Sequence, residues 1–241
     1  MKTDFHCHVL PEFDDGAKSI DESIAILKEQ KQQGFDTVVA TSHFYRNKET
    51  YEQFVLRRQK AYHKLESAVS GLDIPDIVLG AEVLFYSSII DDEVDGLCIS
   101  GTKFLLLEMP FYSLSKPELN LLIDFIESTE YKIIFAHIER YSKLYDKELY
   151  ESVLSFDNAL YQVNCDSFGD RVLRKVALKL IKQGRVHIIG TDAHNMTSRP
   201  PLYNDAAAII NKKLGSEYLD AFHMRGEAVL ADKSISKILS I

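Results

Sequence analysis

The sequence predicts an α/β domain whose parallel strands close into a barrel of seven β/α units, one short of eight. Three observations carry this. Apolar, β-prone runs alternate with helical patterns along the whole chain, the signature of parallel strands joined by crossover helices. The runs are nearly continuous in apolar residues rather than alternating, as strands covered on both faces are. No stretch rich in Pro, Gly or Ser divides the 241 residues, so one domain, 1–241, is expected. A doubly wound open sheet is the alternative arrangement of the same units.

The elements follow in order. A first run, TDFH at 3–6, leads to a helix with a capping box, Ser19 followed by Glu22. Ile24 and Leu27 give that helix its apolar face, and Gly34 stops it. The second run is TVVAT at 37–41, followed by a helical pattern over 49–70. The third is DIVLGAEV at 76–83 and the fourth KFLLLEM at 103–109, with a helix at 117–129. YKIIFAH at 131–137 and a helix at 147–156 make the fifth unit. ALYQVN at 159–164 with a helix at 170–183 makes the sixth. VHIIGT at 186–191 and a helix at 204–212 complete the series, and His223 falls on a later helix.

Composition narrows the function. The net charge is −8, and no basic stripe stands out, which argues against nucleic acid or an anionic membrane as the main partner. Cys7, Cys98 and Cys165 are too few and too scattered for a disulfide framework. There is no basic-then-apolar leader and no bilayer-length apolar segment. The expectation is a cytoplasmic protein without direct membrane insertion, free to work beside a membrane-bound partner.

The C-terminal ends of the predicted strands carry the chemistry, and in barrels and open α/β sheets that edge is where function sits. His6 and His8 end the first strand, His43 the second, Glu82 the third, Glu108 the fourth and His137 the fifth. Asp192 and His194 end the seventh. Side chains two apart on a strand share a side, so His6 and His8 can reach one ion, and Asp192 and His194 repeat the device. Asp15 returns over the first loop. Imidazole and carboxylate without thiolate suit Mn, Fe or Zn. These candidate ligands are too many for one ion and fit two or three held close together. His63 lies mid-helix, His223 on the late helix and His187 at the opening end of a strand, and all three are expected to be surface or packing residues.

This ordered set resembles the polymerase-and-histidinol-phosphatase (PHP) superfamily: HCH at 6–8, ATSH at 40–43, GAE at 80–82, LLEMPF at 106–111, AHIERY at 136–141 and TDAHN at 191–195. Within it, HCHVLPEFDDGAKS and AHIERY are similar to the bacterial CpsB-type metal-dependent protein-tyrosine phosphatases of capsule and exopolysaccharide synthesis. The resemblance implies a distorted (β/α)7 TIM-like barrel and a trinuclear site, most simply manganese, with iron or zinc as alternatives. The implied ligands are His6, His8, Asp15, His43, Glu82, Glu108, His137, Asp192 and His194, with Glu82 and Asp192 bridging. It assigns the phosphate-binding arginines to Arg140 and Arg199. The chain departs from the family's usual proline at Ser42 and Ile138, each beside an implied ligand.

The implied reaction is phosphotyrosine hydrolysis by a metal-bridged hydroxide. Arg140 and Arg199 would neutralise the phosphoryl oxygens. His194 or Asp192 would shuttle the proton. The implied partner is a phosphotyrosine protein, a membrane-associated tyrosine autokinase. A small-molecule phosphomonoesterase of the histidinol-phosphatase type and a non-enzymatic metal-binding regulatory module are the alternatives. One motif points elsewhere. Cys165 to Arg171 has the C-x5-R spacing of cysteine-dependent tyrosine phosphatases. Asp166 and Asp170 inside such a loop would repel phosphate and raise the thiol pKa, so a buried cysteine and a solvated arginine are expected instead.

Overall fold

The computed structural model describes residues 1–241. Its strands are β1 (Thr3–Cys7), β2 (Thr37–Ala40), β3 (His43–Phe44), β4 (Asp76–Leu79), β5 (Glu82–Leu84), β6 (Phe104–Glu108), β7 (Lys132–Phe135), β8 (Ala159–Asn164) and β9 (Ile188–Gly190). All pairings are parallel. β2 and β3 are two halves of one pass, as are β4 and β5. The register therefore runs β1, β2/β3, β4/β5, β6, β7, β8, β9, giving the seven expected strand positions. A bridge between Cys7 and Ala193 brings the last position back to the first. The sheet is thus a curled parallel barrel of seven units.

The helices are α1 (Ile20–Gln32), α2 (Tyr51–Val69), α3 (Lys116–Ser128), α4 (Lys147–Val153), α5 (Arg171–Lys182), α6 (Tyr203–Lys213), α7 (Glu217–Leu230) and α8 (Ile235–Leu239). Five start on a side-chain cap. Thr50 with Gln53 and Ser115 with Glu118 form complete capping boxes. Ser19 caps α1, but its expected box is only half made, because Glu22 accepts from the Lys18 N–H at 2.7 Å instead. α4 stops at Val153, three residues short of the expected end.

The second pass breaks at the end of the predicted run and resumes beyond it as β3, and the predicted third strand breaks in its middle. At the second break the carbonyl of Gly80 has no ladder partner. The Arg58 guanidinium, buried under α2, donates to it at 2.6 Å and to the Gly96 carbonyl at 2.6 Å. A backbone acceptor stranded from water needs such a donor.

Two apolar clusters result. The larger lies between strands and helices. The smaller lies inside the barrel: Phe5, Val39, Phe104, Leu106, Ile134 and Leu160 project inward with Ile188. Val229 of α7 and Ile235 and Ile238 of α8 close its floor. α7 can approach because Gly226 has no side chain; a Cβ there would sit 2.9 Å from the Phe5 ring. Asp232, in the turn between α7 and α8, accepts from the Lys103 N–H at 2.9 Å and from Lys132 Nζ at 2.8 Å. That fastens the floor to the bases of β6 and β7.

The structure corrects one sequence expectation about charge. A basic stripe does exist: Arg171, Arg174 and Lys175 of α5 face Lys212 and Lys213 of α6 across one groove. Residues some 40 positions apart gave no run to read. No helix is long and apolar enough to cross a membrane.

Candidate metal centre

The site stands at the C-terminal rim of the barrel, above the inner apolar cluster. β1 supplies two imidazoles through an irregularity. Asp4 pairs with Val38 but Cys7 pairs with Ala40, so β1 carries one extra residue. Phe5 therefore packs into the floor while His6 and His8 both reach the rim. Asp4 holds this bend. It accepts from the Thr191 N–H at 2.8 Å and from Gln30 Nε2 at 2.5 Å, and burial raises its pKa to about 6.

β6 needs no such device, because Phe104, Leu106 and Glu108 follow the two-residue period. β7 does. Ile134 and Ala136 point inward and Ile138 packs outside, so plain alternation would send His137 outward. His137 instead adopts a left-handed backbone, φ 31°. Its N–H donates to Gln162 Oε1 at 2.8 Å, and its Nε2 lies 2.8 Å from Glu82 Oε1.

The donor atoms converge in three groups. His6 Nε2 and His8 Nε2 lie 3.2 Å apart. Each is 3.2 Å from Glu82 Oε2 and 3.4–3.5 Å from Asp192 Oδ1. A tetrahedron of ligands about 2.1 Å from a shared centre has edges of about 3.4 Å, so this spacing is that of a coordination shell. The second group gathers on Glu82 and Glu108. His43 Nδ1 is 2.9 Å from Glu82 Oε2, and His137 Nε2 is 3.6 Å from Glu108 Oε1. In the third, Asp15 Oδ1 lies 3.4 Å from His43 Nε2 and 3.3 Å from His194 Nε2. All nine predicted ligand residues are thus brought together.

The donor set fits divalent cations. His43 Nδ1, Glu82 Oε2 and His194 Nε2 are buried and make no aligned hydrogen bond. Their neighbours are close but off axis, as expected of lone pairs aimed at a common point. Burial works against a charge on His43 and His137, yet the facing Glu82 and Glu108 carboxylates outweigh it and raise both to about 9. Burial likewise opposes ionisation of Glu82 and Asp192, while His6 and its neighbours hold both well below the usual carboxylate range. Such a field attracts cations, and a bound ion would displace the imidazole protons.

Both predicted arginines point here. Arg140 Nη2 lies 3.0 Å from Asp192 Oδ2 and 3.0 Å from Asp166 Oδ2. Arg199 Nη2 lies 2.7 Å from Asp192 Oδ2. Arg140 is carried on the turn after β7, pinned by the buried Glu139, which accepts from the Asn164 N–H at 3.1 Å and from Ser167 Oγ at 2.6 Å. Arg199 is presented by a loop wound around Asn195, whose Oδ1 accepts the N–H groups of Thr197, Ser198 and Arg199. The resulting cavity is about 220 Å³. Tyr45, stacked on His43, and Phe111, stacked on His137, form its aromatic walls.

Several residues here were not among the predicted site residues. Asp14 accepts from His8 Nδ1 at 2.9 Å and from the His43 N–H at 2.9 Å, orienting two candidate ligands at once. Gln162 lies 3.3 Å from His6 Nδ1 and donates to Asn164 Oδ1 at 2.7 Å, and Asn164 donates to Asp192 Oδ2 at 2.7 Å. The signal was present: two amides, two apart, in the otherwise apolar run ALYQVN. Asn195, Tyr45 and Phe111 gave no comparable signal.

The remaining candidates take structural roles. Cys165 is buried, with its thiol pushed well up by burial and then by Asp4 and Asp166, while Arg171 is exposed at the start of α5. Asp170 is the N-cap of α5, so the C-x5-R spacing builds no anion cradle. His63 is exposed, His223 meets the Tyr203 hydroxyl at 2.8 Å, and buried His187 accepts the Tyr161 N–H at 3.0 Å. Ser42 and Ile138 are fully buried beside His43 and His137.

The chain is similar to several known proteins. The tyrosine-protein phosphatase YwqE of Bacillus subtilis is 28% identical, covering 96% of this chain and 92% of its own. The CapC protein of Staphylococcus aureus is 30% identical, covering 97% and 93%. The tyrosine-protein phosphatase CpsB of Streptococcus pneumoniae is 28% identical, covering 89% and 91%. A crystal structure from the work on YwqE and CpsB, described as unique metal-dependent tyrosine phosphatases, superposes with a TM-score of 0.83 at 26% identity, covering 96% of this chain and 95% of that one. Histidinol phosphate phosphatase from Lactococcus lactis shares the fold at a TM-score of 0.56 and 16% identity, covering 89% and 94%. The family description "Capsular polysaccharide synthesis, CpsB/CapC" matches residues 2–230, and the chain belongs to that family.

Proposed function

We propose that this chain is a metal-dependent protein-tyrosine phosphatase of capsule or exopolysaccharide synthesis, working as one unit over residues 1–241. The observation that carries the reading is the pair of guanidiniums, Arg140 and Arg199, meeting over Asp192 beside three converging groups of imidazole and carboxylate donors. Two or three divalent ions, most simply Mn, would be held by His6, His8, Glu82 and Asp192, by His43, Glu82, Glu108 and His137, and by Asp15, His43 and His194. Bound there, they would supply Lewis acidity and bring the pKa of water down toward neutrality.

The chain's own groups do the rest. Arg140 and Arg199 exchange their contacts with Asp192 for the equatorial phosphoryl oxygens, a bidentate-capable match of charge and shape. Tyr45 and Phe111 flank the aryl ring. A tyrosine phenol has a pKa of about 10, so its phenolate leaves with little acid assistance. In this reading His194 or Asp192 carries that proton. The substrate is a phosphotyrosine protein, in this reading a membrane-associated tyrosine autokinase met at the cytoplasmic face.

Hydrolysis of a phosphotyrosine peptide before and after chelation, and with Mn restored, tests the reading. Activity should vanish with chelator, return with Mn, survive Cys165→Ser and fall at least about tenfold with Arg140→Ala. A chelator-insensitive activity destroyed by Cys165→Ser would overturn it. Histidinol phosphate as the far better substrate would move the chain's activity to the small-molecule class.

A further inference from the structure

The groove between α5 and α6 is the least explained part of the surface. Five cations line it, Arg171, Arg174, Lys175, Lys212 and Lys213, over a base of Leu178 and Ile209, and no carboxylate lines it. This occurs in a chain with 36 acidic and 28 basic residues. None of the five is in an ion pair, although Lys103, Lys132 and Arg185 elsewhere on the surface are. Arg174 makes only a 3.3 Å contact to the Phe168 carbonyl. Uncompensated like charges in one groove repel one another, and an anionic occupant relieves that repulsion.

The first helix of the groove also starts close to the catalytic cavity. α5 springs from the turn carrying Asp166, which pairs with Arg140 at 3.0 Å, and from Asp170, which faces Lys143 at 3.5 Å. Its 12 residues run about 18 Å away from that rim. A peptide leaving the cavity can cover that span with a handful of extended residues.

We propose that the α5–α6 groove docks an acidic segment flanking the phosphotyrosine of the protein substrate; this rests on the phosphatase reading above. The concavity selects the occupant. An extended acidic chain enters a groove, whereas a bilayer or a nucleic-acid duplex is wider and would also meet the surrounding surface of a chain whose net charge is −8. The groove thus adds selectivity for sequence context that the small cavity cannot provide.

The test compares two substrates, a short neutral phosphotyrosine peptide and the same peptide extended by an Asp/Glu-rich flank. The triple charge reversal Lys175→Glu, Lys212→Glu, Lys213→Glu changes only exposed side chains. The extended peptide should show a KM raised about tenfold in the variant with kcat unchanged, and the short peptide no change. Direct binding of the unphosphorylated acidic flank, read by fluorescence anisotropy, should be lost in the variant. That readout stands even if neither peptide is hydrolysed, an outcome that would sink the phosphatase reading alone. Equal KM values for both peptides in the wild type, with no flank binding, would overturn the docking proposal. So would phosphatidylserine vesicles or duplex DNA that bind the wild type and not the variant while both KM values stay fixed.

Discussion

Gly190→Ala is a one-methyl change that should empty the centre. Gly190 faces inward on β9, and a Cβ there would lie 2.6 Å from His6 Cβ and 2.9 Å from Gln162 Nε2. Carbon atoms that touch sit about 3.5–4.0 Å apart, so His6 or β9 must retreat by roughly 1 Å. Overpacking of this kind costs about 1–3 kcal/mol, which in a chain of this size lowers Tm by roughly 4–8 °C at the middle of that range. The effect on the site is larger. Ligand distances hold to about 0.2 Å in a working metal site, and misplacement by about 1 Å costs on the order of 10² in rate. Purified Gly190→Ala should carry at least one fewer equivalent of metal by elemental analysis and lose about 10² in phosphotyrosine hydrolysis. Gly226→Ala is the control. It crowds the Phe5 ring at 2.9 Å, which projects into the barrel floor below the ligands, so Tm should fall while metal content stays full. If Gly190→Ala keeps the full complement of metal and activity, His6 is not where the argument needs it, and the steric reasoning fails.

Three further outcomes are expected. Asp14→Asn should weaken metal affinity about 10- to 100-fold, read by chelator competition, because His8 and His43 lose their shared orienting carboxylate. Tyr45→Ala and Phe111→Ala should each raise KM for aryl phosphates about 3- to 10-fold, the worth of one aromatic contact, and leave alkyl phosphates unaffected. His187 is held neutral, its pKa lowered to about 4 by burial and then by Arg225. Its folded pKa lies below the ordinary 6.5, so its contribution is full above pH 6.5 and is lost as pH falls toward 4. Wild type should lose about 3 kcal/mol more than His187→Gln across that window in denaturant titrations, and equal losses would refute the assignment.

Much of this molecule is legible in one dimension because its candidate ligands ride on strand ends. Period-two geometry places Glu108 over Leu106 and Phe104 without tertiary information, and the order of strands then carries each ligand to one rim. The legible part stops where local geometry departs from that period. The extra residue in β1 and the left-handed turn at His137 aim their side chains by backbone distortion, which residue type does not announce. His6 and His137 were found because histidine is conspicuous. Asp14 was overlooked beside Asp15 because the two carboxylates look alike until one is seen holding His8. Gln162 and Asn164 were overlooked because amides carry no charge to draw attention. The basic groove was missed for a different reason. Its halves are contributed by α5 and α6, and only packing brings them together.

The order of the candidate ligands along the chain has a consequence for assembly. His6 and His8 are made before Asp192 and His194, which complete their groups 186 residues later. The barrel floor waits longer still, for Ile235 and Ile238. A ribosome-bound chain therefore displays metal-binding imidazoles with neither the carboxylates nor the apolar base that would hold them in register. The candidate sites can therefore close only when the last strand position has come back to the first.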